Sequence, residues 1–257
     1  MERLAQGKIS VDEAEKALKL DAIEHVADIA RLDIGRETRR GVPEIILAEG
    51  KTRDDLLNIC AHMVEKSGRA IITRVNDLQL GHLKESFSHS HKTKEFAHAR
   101  SLVIQKPEYR TLQTGGRVGI LTAGTVDLPV AEEAAMIAQE MGCQTFLEAD
   151  AGVAGIHRLV EPLSSMIKND VDSLVVVAGR EGALPTVVAG LVDLPLIAVP
   201  ASTGYGYGGG GQAALMAMLQ ACSLGLAVVN IDSGIAAGVV AAQIANRVAR
   251  ARKTARS

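Results

Sequence analysis

The chain contains no tryptophan, and only three phenylalanines and three tyrosines among 257 residues. So thin an aromatic complement argues against modules that stack bases on aromatic platforms. An excess of charge of either sign is also missing: 28 Lys and Arg oppose 30 Asp and Glu, for a formal net charge of −2. No long basic stripe appears outside the last ten residues, so no nucleic-acid partner is expected. The three cysteines, Cys60, Cys143 and Cys222, are too few and too scattered for a disulfide framework or a zinc knuckle, and fit a reducing cytoplasm. A continuous apolar run of about 20 residues is absent as well. Charge disappears between Asp193 and Asp232, but Ala213–Val229 is interrupted by Gln220, Ser223 and Gly225, and reads as a buried helix followed by a buried strand. No membrane partner is expected, and the charged, amphipathic start Met1–Leu20 does not resemble a secretory signal.

What is present is a globular balance, 47% hydrophobic and 23% charged, in two styles. Residues 1–110 are charged and irregular. Ser10 with Glu13 forms a capping-box pattern that opens a helix through about Leu20. Glu44–Glu49, Ala70–Val75 and Ser101–Gln105 read as strands, and Thr52 caps a helix through about Lys66. This predicts a small N-terminal α/β domain. Its polar segment Gly81–Arg100 carries His82, His89, His91 and His98 without ligand spacing, and reads as a connector; no metal site is expected. After a linker, Lys106–Gly116, residues 117–250 alternate apolar runs with helical segments. The runs are Val118–Leu121, Thr145–Leu147, Ser173–Val177, Leu196–Val199 and Ala227–Ile231. Five such βα units predict an open, parallel, doubly wound sheet of flavodoxin-like type, covered on both faces.

Open sheets of this kind bind ligands at the carboxyl ends of their strands. Thr122, Thr125 and Asp127 follow the first strand, and Glu148, Asp150 and Gly152 the second. Gly179, Arg180, Glu181 and Gly182 follow the third, Ser202–Gly211 (STGYGYGGGG) the fourth, and Asn230, Asp232 and Gly234 the fifth. Glycines 204, 206 and 208–211 lie between a strand and a helix, as phosphate-cradling loops do. Their loose G-x-G-x-x-G match sits in the fourth unit rather than the first, which favours a phosphate or nucleotide loop over a hydride-transfer cofactor. Gly50-Lys51-Thr52 lacks the glycine that a P-loop needs five residues earlier, where Ile45 stands, so an NTPase is excluded. By composition alone all three cysteines read as core, and His157 as a cap, anion ligand or proton shuttle.

Val175–Leu184 (VVVAGREGAL), Leu194–Pro200 (LPLIAVP) and Gly155–Arg158 (GIHR) resemble the core and the Ala-His-Arg loop of the phosphoribosylaminoimidazole carboxylase superfamily. Thr122–Pro129 stands where the purine enzymes carry a Ser-Asp pair. Leu32–Thr52 (LDIGRETRRGVPEIILAEGKT), Asp127–Ala134 (DLPVAEEA), Glu148–Gly155 (EADAGVAG) and Val229–Gly234 (VNIDSG) are similar to the LarB family, and that resemblance spans about residues 20–248. It implies carboxylation of the pyridinium ring of nicotinic acid adenine dinucleotide by CO2 or bicarbonate, with release of AMP, as the first step toward the nickel-pincer nucleotide. The same resemblance assigns the nucleophile to Cys222, against the compositional reading. It assigns the acceptor of the C5 proton to Glu181, whose apolar strand implies a desolvated carboxyl suited to a general base. Arg74 and Arg180 become partners of the substrate carboxylate or phosphates. Thr125, Asp127, Asp150, His157, Gly204, Gly206, Gly208 and Asp232 complete the binding set. No tightly bound cofactor is implied, and Mg²⁺ stays open as an aid to hydrolysis. The purine relatives imply a homo-oligomer, an octamer by analogy. Two readings compete: a purine-type carboxylase or mutase with His157 as proton shuttle, and a non-catalytic nucleotide-binding regulator. One conflict is internal. A helix over Gln212–Ser223 runs antiparallel to the strands and puts Cys222 about 18 Å from the carboxyl edge, which calls for a site completed by a neighbouring subunit.

Overall fold

The computed structural model divides into two units, Met1–Arg110 and Thr111–Ser257, and describes residues 2–13, 23–26 and 29–255. In the first unit, helix α1 (Glu2–Ala5) precedes the predicted capping box. There the Glu13 N–H donates to Ser10 Oγ at 3.2 Å and the Ser10 N–H donates to Glu13 Oε2 at 2.8 Å. The rest of the helix expected to reach Leu20 lies outside the described residues. Strands β1 (Ile23–Val26) and β2 (Ala30–Asp33) form an antiparallel ribbon, followed by helix α2 (Arg36–Arg40).

A four-stranded sheet, in the order β3-β4-β6-β5, then forms from β3 (Ile46–Leu47), β4 (Arg69–Thr73), β5 (Lys92–Phe96) and β6 (Ser101–Gln105). Helix α3 (Arg53–Ser67) starts where Thr52 Oγ1 accepts the Asp55 N–H at 3.1 Å, and stops at Gly68, which adopts φ 79°. Its buried residues, Leu56, Ile59, Cys60, Met63 and Val64, recur at three- and four-residue spacing and form one face toward the sheet. Helix α4 (Asp77–Phe87) opens on a capping box between Asn76 and Gln79. The connector expected over Gly81–Arg100 is therefore wrong: it holds the end of α4 and all of β5. Strand β5 escaped notice because it is an edge strand whose Lys92, Thr93, Lys94 and Glu95 are exposed, so no apolar alternation marks it. The strand expected over Glu44–Glu49 contracts to two residues, Ile46–Leu47. Among the described residues no three His, Cys, Asp or Glu side chains come together as metal ligands.

The second unit is an all-parallel five-stranded sheet of β7 (Arg117–Thr122), β8 (Gln144–Glu148), β9 (Ser173–Ala178), β10 (Leu196–Pro200) and β11 (Leu226–Val228). The order β11-β10-β9-β7-β8 is the flavodoxin-like arrangement. Helices α5 (Leu128–Glu140), α6 (Val160–Lys168), α7 (Ala183–Ala189), α8 (Gln212–Leu219) and α9 (Gly234–Thr254) follow the strands in turn. Alternate side chains, Leu174, Val176 and Ala178 with Leu196 and Ala198, pack under α6, α7 and α8. Helices α5 and α9 pair across the other face. Their approach depends on Gly238, where an added Cβ would lie 2.5 Å from the Ala134 carbonyl oxygen and 2.4 Å from Ile137 Cγ2. The strands are almost purely Val, Ile, Leu and Ala because helices cover both faces. Among the described residues no helix is long and apolar enough to cross a membrane. Two expected boundaries shift: α8 ends at Leu219 rather than Ser223, and β11 stops at Val228 rather than Ile231. The chain turns back after α8, with the Gln220 N–H bonded to the Met216 carbonyl and Gly225 at φ 90°.

Candidate active site at the carboxyl edge of the parallel sheet

In this strand order the connections from β7 and β9 leave in opposite directions, and a crevice opens at their carboxyl ends. A cleft of about 210 Å³ occupies that position, lined by Gly124, Asp127, Gly152, Arg158, Gly179, Arg180, Glu181, Thr203 and Tyr205, with Val126, Val153 and Leu184 as apolar wall. Glycine lets the loops close around it. A Cβ on Gly204 would lie 2.8 Å from the Arg180 nitrogen, and one on Gly152 would lie 2.6 Å from the Ala123 carbonyl oxygen. Three charged residues at this edge adopt the left-handed backbone that L-residues avoid: Asp150 (φ 60°), Arg180 (φ 50°) and Asp232 (φ 53°).

Asp127 closes a short 3-10 turn, Thr125–Asp127, and is only 2% exposed. Its Oδ2 accepts the Gly124 N–H at 3.0 Å, and its Oδ1 accepts the Thr203 hydroxyl at 2.7 Å. Burial pushes its carboxyl above the usual carboxylate range and the nearby Asp232 adds to this, while the Thr203 and Gly124 hydrogen bonds oppose it. Asp232 accepts the Ser202 N–H at 2.8 Å and so holds the start of the glycine-rich loop. That loop turns through a 3-10 segment, Gly206–Gly211, in which Gly206, Gly210 and Gly211 need positive φ.

Two arginines flank the cleft. Arg158 donates to Asp150 Oδ2 at 3.0 Å. The Arg180 guanidinium carbon lies 4.8 Å from the Tyr205 ring centroid, and Nη1 donates to the Tyr205 hydroxyl at 2.9 Å. Glu181 does not sit in the desolvated setting expected of it. Its side chain is 65% exposed, 3.9 Å from Arg180 Nε, because burial of β9 ends at Ala178 and the chain turns outward through Gly179. His157 lies in the 3-10 turn Val153–Leu159 that precedes α6 and is exposed.

The structure thus gathers Asp127, Arg180 and Glu181 on one cleft, with Gly204 packed against Arg180; Thr125, Asp150, His157, Gly206, Gly208 and Asp232 lie on the loops of the same edge. Cys222 is not among them. It lies in the turn that enters β11, whose first residue Leu226 pairs with Leu196 at the start of β10, so it belongs to the amino edge. The five residues of β10 separate the two edges by about 16 Å. Cys222 is nevertheless the exposed cysteine of the three. Burial pushes the Cys60 thiol up to about 12 and the Cys143 thiol up to about 11, the latter with a smaller rise from Asp172 and a lowering hydrogen bond from Thr114. Arg74 belongs to the first unit, where it follows β4 at φ 55° and lies 3.7 Å from Glu49. Sequence reasoning missed Thr203, Tyr205 and Arg158 as site residues. All three lie inside stretches it had singled out, but only the fold brings them to Asp127, Arg180 and Asp150.

Comparison with known proteins places this geometry. Residues 23–106 match the LarB/PurE-like N-terminal domain, and residues 117–255 match AIR carboxylase. An uncharacterized protein of Methanocaldococcus jannaschii is 44% identical over 241 residues, 93% of each chain. The N5-carboxyaminoimidazole ribonucleotide mutase of the same organism is 33% identical over 49% of this chain and 76% of its own length. The Thermotoga maritima enzyme of that name is 32% identical over 50% of this chain and 74% of its own length. The chain belongs to the AIR carboxylase family, whose domains are those of carboxylases and mutases, in the two-domain architecture of LarB.

Proposed function

We propose that this chain carboxylates nicotinic acid adenine dinucleotide at C5 of the pyridinium ring and hydrolyses its phosphoanhydride, giving pyridinium-3,5-biscarboxylic acid mononucleotide and AMP. The observation that carries the reading is the exposed thiol of Cys222 in a chain with the LarB architecture, while Cys60 and Cys143 are buried. Carbon dioxide is an electrophile and needs an electron-rich carbon, which a pyridinium ring does not offer. Addition of the Cys222 thiolate at C4 removes the aromaticity and makes C5 an enamine carbon. C5 attacks carbon dioxide, forming the new C–C bond. Loss of the C5 proton to Glu181 and of the thiolate from C4 then restores the ring. Water attacks the phosphoanhydride, and AMP leaves. The soft sulfur nucleophile also leaves well, which the last ring step requires. Arg158 and Arg180 suit the phosphates and the ring carboxylate as bidentate donors. No tightly bound cofactor enters this route.

The separation of Cys222 from the cleft is accommodated by a homo-oligomer in which Cys222 of one chain faces the cleft of another. Exposed Met216, Leu219 and Leu224 flank Cys222 in sequence and supply apolar surface for such an interface. A second reading, an aminoimidazole ribonucleotide carboxylase or mutase, is favoured by the names of the two ribonucleotide mutases among the relatives and would use His157 as proton shuttle. Incubation with nicotinic acid adenine dinucleotide and labelled bicarbonate, with products read by mass spectrometry, decides between them. A labelled biscarboxylate and AMP are expected. Turnover of carboxyaminoimidazole ribonucleotide, with the dinucleotide left intact, would replace this reading by the second.

A further inference from the structure

Asp127 lines the cleft, yet both of its oxygens are engaged before any ligand arrives, one by its own turn and one by Thr203. The second bond joins positions 76 residues apart and ties the loop after β10 to the loop after β7. A third loop meets the same hydroxyl: a Cβ on Gly179 would stand 2.7 Å from Thr203 Oγ1. Thr203 begins the segment that leads through Tyr205, which stacks on Arg180, into the glycine-rich turn. From Ser202 the loop is pinned on its other side by Asp232. The Thr203 hydroxyl is therefore the point where three strand-end loops converge, and its acceptor is a buried carboxylate.

We propose that Thr203 is a positioning residue, a latch whose hydroxyl holds the glycine-rich loop against Asp127 and sets the spacing of the cleft walls. The inference rests on the cleft being the ligand site, not on the identity of the ligand. With the latch made, Tyr205 stays under Arg180 and the Asp127 carboxylate keeps one orientation. Without it, the loop keeps Asp232 at Ser202 and the exposed Arg180 contact at Tyr205 but loses its buried anchor between them, and Asp127 loses its Thr203 donor inside a desolvated turn.

The test uses the full chain with Thr203→Val, which keeps the shape and removes the hydroxyl, and Thr203→Ser, which restores it. Gly179→Ala retains Thr203 but drives its hydroxyl out of place. Hydrogen exchange is followed by mass spectrometry in peptides covering 203–211, with the β9 peptide 173–178 as the control for global folding. Thr203→Val and Gly179→Ala should each speed exchange in 203–211 by roughly tenfold, the scale of one hydrogen bond to a charged group. Thr203→Ser should stay within about twofold of wild type, and the double variant Thr203→Val/Gly179→Ala should be no faster than either single change, since both break the same bond. In the AMP-release assay, Thr203→Val should raise KM more than it lowers kcat, and Thr203→Ser should reverse the rise. Unchanged exchange in Thr203→Val, additive effects in the double variant, or a KM that serine does not restore would each overturn the latch. If the wild-type chain releases no AMP from nicotinic acid adenine dinucleotide, the proposed function fails, while exchange and additivity still decide the latch.

Discussion

Native thiol chemistry should stop at one equivalent per chain. Thiolates, not thiols, react with iodoacetamide, so each cysteine's rate scales with its ionised fraction and its access to solvent. With the Cys60 thiol near 12 and the Cys143 thiol near 11, their ionised fractions at pH 8 are roughly 1 in 10⁴ and 1 in 10³. Both are also enclosed: Cys60 is 0% exposed inside the α3 face, and Cys143 is 2% exposed with its Sγ donating to Asn246 Oδ1 at 3.2 Å. Alkylation of either therefore waits for local opening, which lowers the rate further. Cys222 meets solvent in a turn. A timed reaction at pH 8, quenched and digested for mass spectrometry, should show Cys222 carboxamidomethylated at least about 10³ times faster than the other two. In guanidinium chloride all three should react alike. Preincubation with nicotinic acid adenine dinucleotide should slow the Cys222 reaction and leave the other two unchanged. Modification of Cys60 or Cys143 in the folded chain at a rate comparable to Cys222 would refute the argument, because neither burial nor the raised thiols would then govern reactivity.

Cys222→Ala should abolish carboxylation while the circular dichroism spectrum and melting temperature stay at wild-type values; a near wild-type rate would remove the covalent route. Glu181→Gln should slow product formation by roughly 10²-fold with substrate binding retained, measured by single-turnover quench against equilibrium binding. Mixing these two impaired proteins under conditions that exchange subunits should raise activity above that of either alone, and a fully active monomer in light scattering would defeat the shared site. Gly238→Ala should cost about 1–3 kcal/mol in urea unfolding despite alanine's better helix propensity, because its Cβ meets the backbone of α5. The raised Asp127 carboxyl contributes stability that is full below its unfolded value of 3.8 and is lost as pH rises through the folded value. The unfolding free energy of wild type relative to Asp127→Asn should therefore fall as the pH is raised above the unfolded value, and a difference that rises would reverse the sign assigned to its burial.

The parallel sheet was legible because helices on both faces make each strand an uninterrupted apolar run, as at Ser173–Ala178. The carboxyl-edge loops were legible for the complementary reason: Gly, Asp and Arg interrupt those runs at regular intervals. The first unit hid more. Its edge strand β5 is charged, and α2 is one turn of three arginines, a glutamate and a threonine with no buried residue, so neither carries an apolar period. The capping box at Asn76 and Gln79 did mark α4 and was overlooked beside the histidines that follow it. At the site, local pattern identified stretches but not partners. Thr203 meets Asp127 only through the pairing of β7 with β9 and β9 with β10, information that no window of sequence contains. Glu181 shows the opposite error, in which the burial of a strand was extended one turn too far.

The left-handed residues at the carboxyl edge have a consequence for attempts to make this protein hardier. Asp150, Arg180 and Asp232 each occupy a backbone conformation in which glycine sits without steric penalty. The side chain costs about 1–3 kcal/mol there, against about 0.5–1 kcal/mol of extra chain entropy that glycine would lose on folding. Glycine would relieve that strain, but at Asp232 it would also remove the acceptor of the Ser202 N–H, and at Asp150 the partner of Arg158. A selection that rewards heat resistance alone would therefore favour glycine most at Arg180, whose contact with Tyr205 is exposed, and would take that guanidinium off the cleft wall. Under the proposed function, a hardened variant should be checked at Arg180 before it is trusted to work.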